Sequence, residues 1–170
     1  MGYYPIRGKA QVPRLICEFL GANYRDELYE LEEWDKFKRE QAKDWDFADM
    51  PYLKDGDFVV TDAFPICEYV IEKMGAMELL GKTVEDQAIV QMYLWTIDTM
   101  GSIISINCSK VPEEDRAAFK DNQWKTNVLP RMMKYEQFVK GKSWFLGYLS
   151  IIDFSIYELM RYMEMLFPNT

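Results

Sequence analysis

The residues able to do chemistry in this chain are of a restricted kind. No histidine occurs among its 170 residues, so a His-dependent nucleophile triad and a His-ligated zinc are both excluded. Three cysteines, Cys17, Cys67 and Cys108, stand far apart, are odd in number and form no CxxC pair. They read as buried, reduced thiols in a cytoplasmic or other reducing intracellular compartment, with no metal site implied. Hydroxyl, carboxylate, ammonium and backbone chemistry remain. Tyr3 stands in Met1-Gly2-Tyr3-Tyr4-Pro5-Ile6-Arg7-Gly8, where a short strand turns into an amphipathic helix. Ala48-Asp49-Met50-Pro51-Tyr52-Leu53 is a short apolar strand with proline at its start. A proline there can be cis, which turns the preceding backbone to pair with a peptide-like ligand. Trp34 and Lys38 are four residues apart, so an indole and an ammonium share one helical face. A solvated helix surface is the plain alternative for the lysine. Asp62 precedes an apolar helical pattern, where aspartate is a good cap.

The elements that must position these groups fall into two halves. At 49% hydrophobic and 15% aromatic, the chain can bury a core as one domain or two small ones. Its 28 acidic and 20 basic residues give net −8, which disfavours nucleic acid or an anionic membrane surface as the main partner. No apolar run approaches a membrane span, and the N-terminus lacks a charged-then-apolar leader pattern, so no membrane insertion is expected. Over 1–75 short strands and helices alternate. Val12, Leu15, Ile16, Phe19 and Leu20 recur at helical spacing, with Pro13 acceptable only in the first turn. A weak strand over 24–29 and a short polar helix over 33–43 follow. Lys54-Asp55-Gly56-Asp57 then makes a hairpin turn into Phe58-Val59-Val60, and a helix covers 63–74. The β-α-β-α-β-β-α order predicts a thioredoxin-like layer.

Over 83–170 the pattern is all-helical. Thr83 and Asp86 have capping-box spacing and open a long helix through Ile89, Met92, Tyr93, Ile97 and Ile104. Pro112 restarts the chain, and 113–140 reads as a second long helix kinked at Pro130. Ser150-Ile151-Ile152-Asp153 is another box, followed by Ile156, Leu159, Met160 and Met163 as one apolar stripe. The helical methionines read as core filler. The expected class is therefore α/β followed by all-α.

Gly2-Tyr3-x-x-Ile6-Arg7-Gly8, taken with Asp49-Met50-Pro51, resembles the thiol-binding domain of the cytosolic glutathione S-transferases, nearest to the mu and sigma classes. The Ser150 box and Trp144-Phe145-Leu146-Gly147 extend the resemblance, which runs from Gly2 to Asn169. It implies that family's fold, glutathione as substrate and no cofactor. Conjugation needs the thiolate. An ordinary thiol has a pKa near ~8.5, and each unit of lowering is worth about 1.4 kcal/mol. On the resemblance Tyr3 is the catalytic tyrosine that donates to sulfur, a packed aromatic being the alternative, and Tyr4 stands where mu enzymes often carry tryptophan. Trp34 and Lys38 match the pair that contacts the glycine end. Met50, before Pro51, matches the residue whose backbone bonds the central cysteine. Asp62-Ala63 occupies the turn that binds the γ-glutamyl carboxylate. Asp98, or Thr99 by a shift of one, matches the residue offered across a dimer to the ligand's amine. Phe47 takes the place of the mu-class aromatic that plugs into a neighbouring subunit and implies a two-fold homodimer, with an ordinary core phenylalanine as the alternative.

Departures from the family pattern point elsewhere. Mu and sigma members carry Gln-Ser where this chain has Asp62-Ala63. Alanine removes a hydroxyl donor, and a hydrogen bond to a charged group is worth about 1.5–3 kcal/mol. Asp62 sets an anion at a helix start that would otherwise favour an anionic ligand. Asp49 replaces the asparagine usual in mu enzymes. The chain is also short of the family pattern at both ends, which leaves Ile156, Met160 and Met163 as a face for a permanent protein partner. Three readings follow. One is a degenerate transferase-like protein with weak or no conjugating activity, serving as a structural or interaction subunit of an assembly. The second is an active glutathione transferase or thiol isomerase working through Tyr3. The third is a carrier of glutathione or a hydrophobic ligand without turnover.

Overall fold

A computed structural model describes residues 1–167, and of residues 102–109 the backbone alone. The chain divides into two compact units, Met1–Met77 and Glu78–Thr170. The first unit runs β1 (Gly2–Tyr3), α1 (Gln11–Leu20), β2 (Glu27–Leu28), α2 (Leu31–Glu40), β3 (Tyr52–Asp55), β4 (Phe58–Thr61) and α3 (Ala63–Lys73). Its sheet has the order β2-β1-β3-β4, with β1 parallel to β2 and antiparallel to β3, and β3 and β4 joined as a hairpin. This is the thioredoxin-like layer expected from the alternation of elements, although the strand sought over 24–29 is only two residues long.

Pro13 lies in the first turn of α1, and Val12, Ile16 and Cys17 are buried where α1 packs along α3, which buries Ile66, Cys67 and Ile71. Phe19, expected on that stripe, is exposed. Cys17 and Cys67 are buried free thiols, and burial pushes the Cys17 pKa up to about 11; the Cys108 side chain lies outside the described residues. Helix α2 begins earlier than the expected 33–43. Glu30 and Glu33 cap each other's backbone reciprocally, a box built from two acids where spacing rules look for serine or threonine. The helix ends at Glu40, where Gln41 N–H bonds the Phe37 carbonyl. Tyr52 is almost fully buried; its ring stacks on Phe37 at 5.6 Å and meets Trp34, Trp45 and Tyr29, while its hydroxyl donates to Glu27 Oε2 at 2.7 Å. Each aromatic pair adds about 0.5–1.5 kcal/mol beyond simple burial. The same ring lies against β1: a Cβ on Gly2 would stand 2.0 Å from it, so only glycine fits. That close packing fixes the strand whose last residue is Tyr3.

The second unit contains α4 (Val84–Lys110), α5 (Arg116–Gln123), α6 (Leu129–Val139) and α7 (Ile151–Leu166). The Thr83 hydroxyl accepts from Asp86 N–H at 3.1 Å, the expected start of α4. The continuous helix expected over 113–140 is not formed. A 3₁₀ turn at Glu113–Asp115, α5, a π-helical stretch at Trp124–Val128 and α6 take its place. Proline lacks the N–H that continues a helical ladder. The wider π turn resets the backbone so that Pro130 falls in the first turn of α6, where no donor is needed, and no sharp kink is required. Helix α7 packs on α4 and buries Ile151, Ile152, Leu159 and Met163; Ile156 is half-buried and Met160 exposed. Met100 and Met163 are core residues, but Met92, Met133 and Met165 are exposed, so the filler reading holds for only some methionines. The Ile104 side chain, Pro168 and Asn169 lie outside the described residues. No helix among the described residues is long and apolar enough to cross a membrane.

Candidate functional site

Tyr3 ends β1 with its ring 8% exposed. Its hydroxyl oxygen accepts from Lys9 N–H at 3.1 Å, and its proton has no acceptor among the described residues. Gly8, at φ +42, is what lets the backbone pass this close: a Cβ there would stand 2.6 Å from the Tyr3 hydroxyl. The Arg14 guanidinium lies 6.0 Å from the centre of the Tyr3 ring, held by Asp26 at 2.8 Å and by the Ile6 carbonyl at 2.8 Å. The Tyr4 ring sits 5.6 Å from that of Tyr3. Burial, then Asp35, Tyr3 and Asp49, raise the Tyr4 pKa above its ordinary value, so its hydroxyl stays protonated.

The chain enters β3 through a cis Met50–Pro51 peptide, as the sequence position suggested. The Met50 N–H donates to the carboxylate of Asp49 at 2.8 Å. Across the hairpin, Asp62 N–H donates to the Pro51 carbonyl at 2.9 Å, and Asp62 caps α3 by accepting from Ala63 N–H at 2.7 Å. Asp62 holds φ 73 and ψ 152, a region that residues with a Cβ occupy only at a cost of about 1–3 kcal/mol. Its backbone bonds to Pro51 and Ile66 keep it there. Lys9 Nζ approaches Asp62 Oδ1 to 3.9 Å. One lysine thus joins the two groups, its amide on Tyr3 and its ammonium beside Asp62.

The structure gathers Tyr3, Tyr4, Met50, Pro51, Asp62 and Ala63 through this short chain of bonds. It places Lys38 and Phe47 separately, in a cleft of about 500 Å³ lined also by Lys43, Trp45, Asp46 and Asp49. Trp34 does not accompany Lys38. Its indole is 5% exposed and stacks on Tyr52 at 6.1 Å and on Phe37 at 5.7 Å, because the largest apolar surface of α2 gains most by covering the sheet. Phe47 is 83% exposed, which removes its reading as an ordinary core residue. Asp98 is half-buried on α4 and Thr99 is exposed. A second cleft of about 610 Å³, edged by Tyr24, Glu27, Asp55 and Lys73, gathers none of the expected site residues. Sequence reasoning passed over Lys9, Arg14 and the role of Gly8. Their signal is a left-handed glycine five residues beyond the tyrosine, with a basic residue on each side of the turn. Among the described residues no cluster suits a metal ion.

This geometry has relatives. Residues 1–72 match the family model of the glutathione S-transferase N-terminal domain. Glutathione S-transferase of Mesocricetus auratus is 28% identical over 94% of this chain and 73% of its own length. Glutathione S-transferase Mu 3 of Mus musculus is 27% identical over 99% of this chain and 78% of its own. The class-mu 26 kDa isozyme of Schistosoma mansoni is 31% identical over 79% of this chain and 65% of its own. A solved structure, rat hPGDS complexed with a quinoline, matches with TM-score 0.82 over 99% of this chain and 81% of that one, at 24% identity, a likeness of fold.

Proposed function

We propose that this chain, whose residues 1–72 match the family model of the glutathione S-transferase N-terminal domain and whose relatives include mu-class members, is a transferase-like protein that holds a thiol at Tyr3 but binds glutathione weakly and conjugates it slowly. The observation that carries this reading is the state of two backbone donors. Met50 N–H and Ala63 N–H, which a γ-glutamyl-cysteinyl peptide would use, are each bonded to the aspartate before them. Displacing either aspartate forfeits a charge-assisted bond worth about 1.5–3 kcal/mol, and the ligand's own anionic groups then face those carboxylates.

The thiol chemistry itself has what it needs. The Lys9 N–H withdraws density from the Tyr3 oxygen, which sharpens the hydroxyl as a donor. Donation to sulfur favours the thiolate, and with no histidine in the chain the thiol proton leaves to solvent. The thiolate pair then forms the bond to an electrophilic carbon, and the leaving group takes its own bonding pair.

Calorimetry with glutathione is expected to give a dissociation constant above about 1 mM. Tyr3→Phe should cut conjugation of a general electrophile about tenfold, some 1.4 kcal/mol, while leaving that constant in place. A constant below about 0.1 mM would remove the weak-binding reading, and unchanged turnover would remove Tyr3 from its role. A second reading, a subunit in a homodimer or a permanent protein complex, is favoured by Phe47, which stands 83% exposed at the position that the resemblance gives to an aromatic plugging into a neighbouring subunit. Sedimentation of the same sample should then show a species heavier than the 20.2 kDa chain, and a monomer at every concentration would end that reading. Buried free Cys17 and Cys67 favour a reducing compartment.

A further inference from the structure

We propose that Asp62 sets the thiol specificity of this site, so that it selects a small thiol whose end nearest α3 carries an amide or amine and rejects one that carries a free carboxylate there. The inference rests on the reading that Tyr3 holds the thiol. Helix α3 is eleven residues long, and the start of such a helix ordinarily attracts an anion through its free N–H groups and its dipole. Here that place is already taken. Asp62 puts its own carboxylate on Ala63 N–H at 2.7 Å, and the backbone that aims it there is fixed by bonds to Pro51 and Ile66.

The distance between the two ends of the site is set by one residue. Lys9 touches the Tyr3 hydroxyl with its amide at 3.1 Å and approaches Asp62 with its ammonium at 3.9 Å, so one lysine and these two contacts bound the distance from the Tyr3 hydroxyl to Asp62. A ligand carboxylate arriving there meets the Asp62 anion and finds its natural counter-ion, Lys9, already beside that anion. A ligand amine or amide instead donates to Asp62, whose side chain is 63% exposed. Asp49 adds a further carboxylate on Met50 N–H, and Asp35 and Asp49 act electrostatically on Tyr4, so acidic groups stand near Met50 and Tyr4 as well as at α3. The cleft that holds Lys38 differs, because two lysines, Lys38 and Lys43, stand there beside two aspartates, Asp46 and Asp49, so neither sign of charge prevails. The discrimination therefore concerns the end of the ligand at α3 rather than negative charge in general.

The test compares glutathione with the same tripeptide amidated at its glutamyl α-carboxylate, which keeps the thiol and the glycine carboxylate. Each is titrated calorimetrically into the whole wild-type chain and into Asp62→Asn. The wild-type protein is expected to bind the amide about tenfold more tightly than glutathione, and Asp62→Asn, which can still cap α3, is expected to erase most of that preference by improving glutathione. Lys9→Ala, which keeps the amide bonded to Tyr3, should widen the preference. Equal affinities for the two peptides in the wild-type protein, or tighter binding of glutathione, overturn the inference and leave the thiol site standing. Binding of neither at about 10 mM overturns the thiol site and the inference with it. The wild-type comparison requires no variant to fold.

Discussion

Tyr3 and Tyr148 each accept a backbone N–H from a lysine, Lys9 at 3.1 Å and Lys82 at 3.0 Å. Tyr148 in turn donates a hydrogen bond to the Asp86 carboxylate at 2.6 Å, and Asp86 lies in the first turn of α4, bonded through its own N–H to the Thr83 cap. Tyr3 donates to no described residue. The same bond closes a network in one unit and leaves a donor open in the other. The helix starts differ in the same sense. Helix α7 begins on fully buried Ser150 with extended backbone at φ −140, and Asp153 accepts from both Ser150 N–H and Phe145 N–H. Helix α3 begins on exposed Asp62 at φ 73, with one N–H in its grip. Relaxed, fully bonded caps are what stability asks for; strained and half-bonded ones mark a place where the fold supports a site.

That contrast is open to attack at its structural end first. Asp153→Ala removes the acceptor of two backbone donors and leaves buried Ser150 poorly partnered, so unfolding free energy should fall by about 3 kcal/mol, read as a lower urea midpoint at unchanged slope. A loss under about 1 kcal/mol would mean the α7 start is no firmer than the α3 start. Tyr148→Phe is the next step down, at about 1.5 kcal/mol for a bond to a charged acceptor. It also carries a pH signature. Burial, followed by the bond to Asp86, raises the Tyr148 pKa above its ordinary value. The folded state therefore keeps the proton to higher pH than the unfolded chain does. The contribution is complete below the unfolded value near ~10 and is lost as the pH climbs through it toward the folded value. The phenylalanine variant should flatten that alkaline fall, and an unaltered profile would put Tyr148 outside the network.

How far such features can be read from sequence depends on what fixes them. Pro51, the Ser150 box, the Thr83 cap and Asp62 at the start of α3 were legible, because each is a residue type that suits one local geometry. The thioredoxin-like order was legible for the same reason, since turns and apolar runs alternate at short range. What escaped is either local but built from unfavoured residue types, or fixed at longer range. The Glu30–Glu33 box and the π turn before Pro130 are local but made of residues no spacing rule favours. The burial of Trp34 depends on where Tyr52 lies, and the exposure of Phe47 depends on a loop that no periodicity describes. At the site, the matches to Tyr3, Met50 and Asp62 were visible in the motifs. The bond from Met50 N–H to Asp49, the clasp of Lys9 and the fit of Gly8 under Tyr3 were not, because they need coordinates.

The smallest effect tests the strain at Asp62 most directly. Asp62→Gly removes the Cβ that makes φ 73 costly and should recover about 2 kcal/mol of strain. Against that stand a few tenths of a kcal/mol for exchanging an aspartate cap for glycine and about 0.7 kcal/mol for the added freedom of the unfolded chain. The balance is a gain of about 1 kcal/mol in urea, whereas most surface changes destabilise or do nothing. Asp62→Asn separates charge from backbone: it keeps the Cβ and the cap, so its stability should stay within about 0.5 kcal/mol of wild type. A glycine variant weakened by more than about 1 kcal/mol would mean that the carboxylate on Ala63 N–H holds α3 as firmly as Asp153 holds α7, and the two helix starts would then be alike in kind.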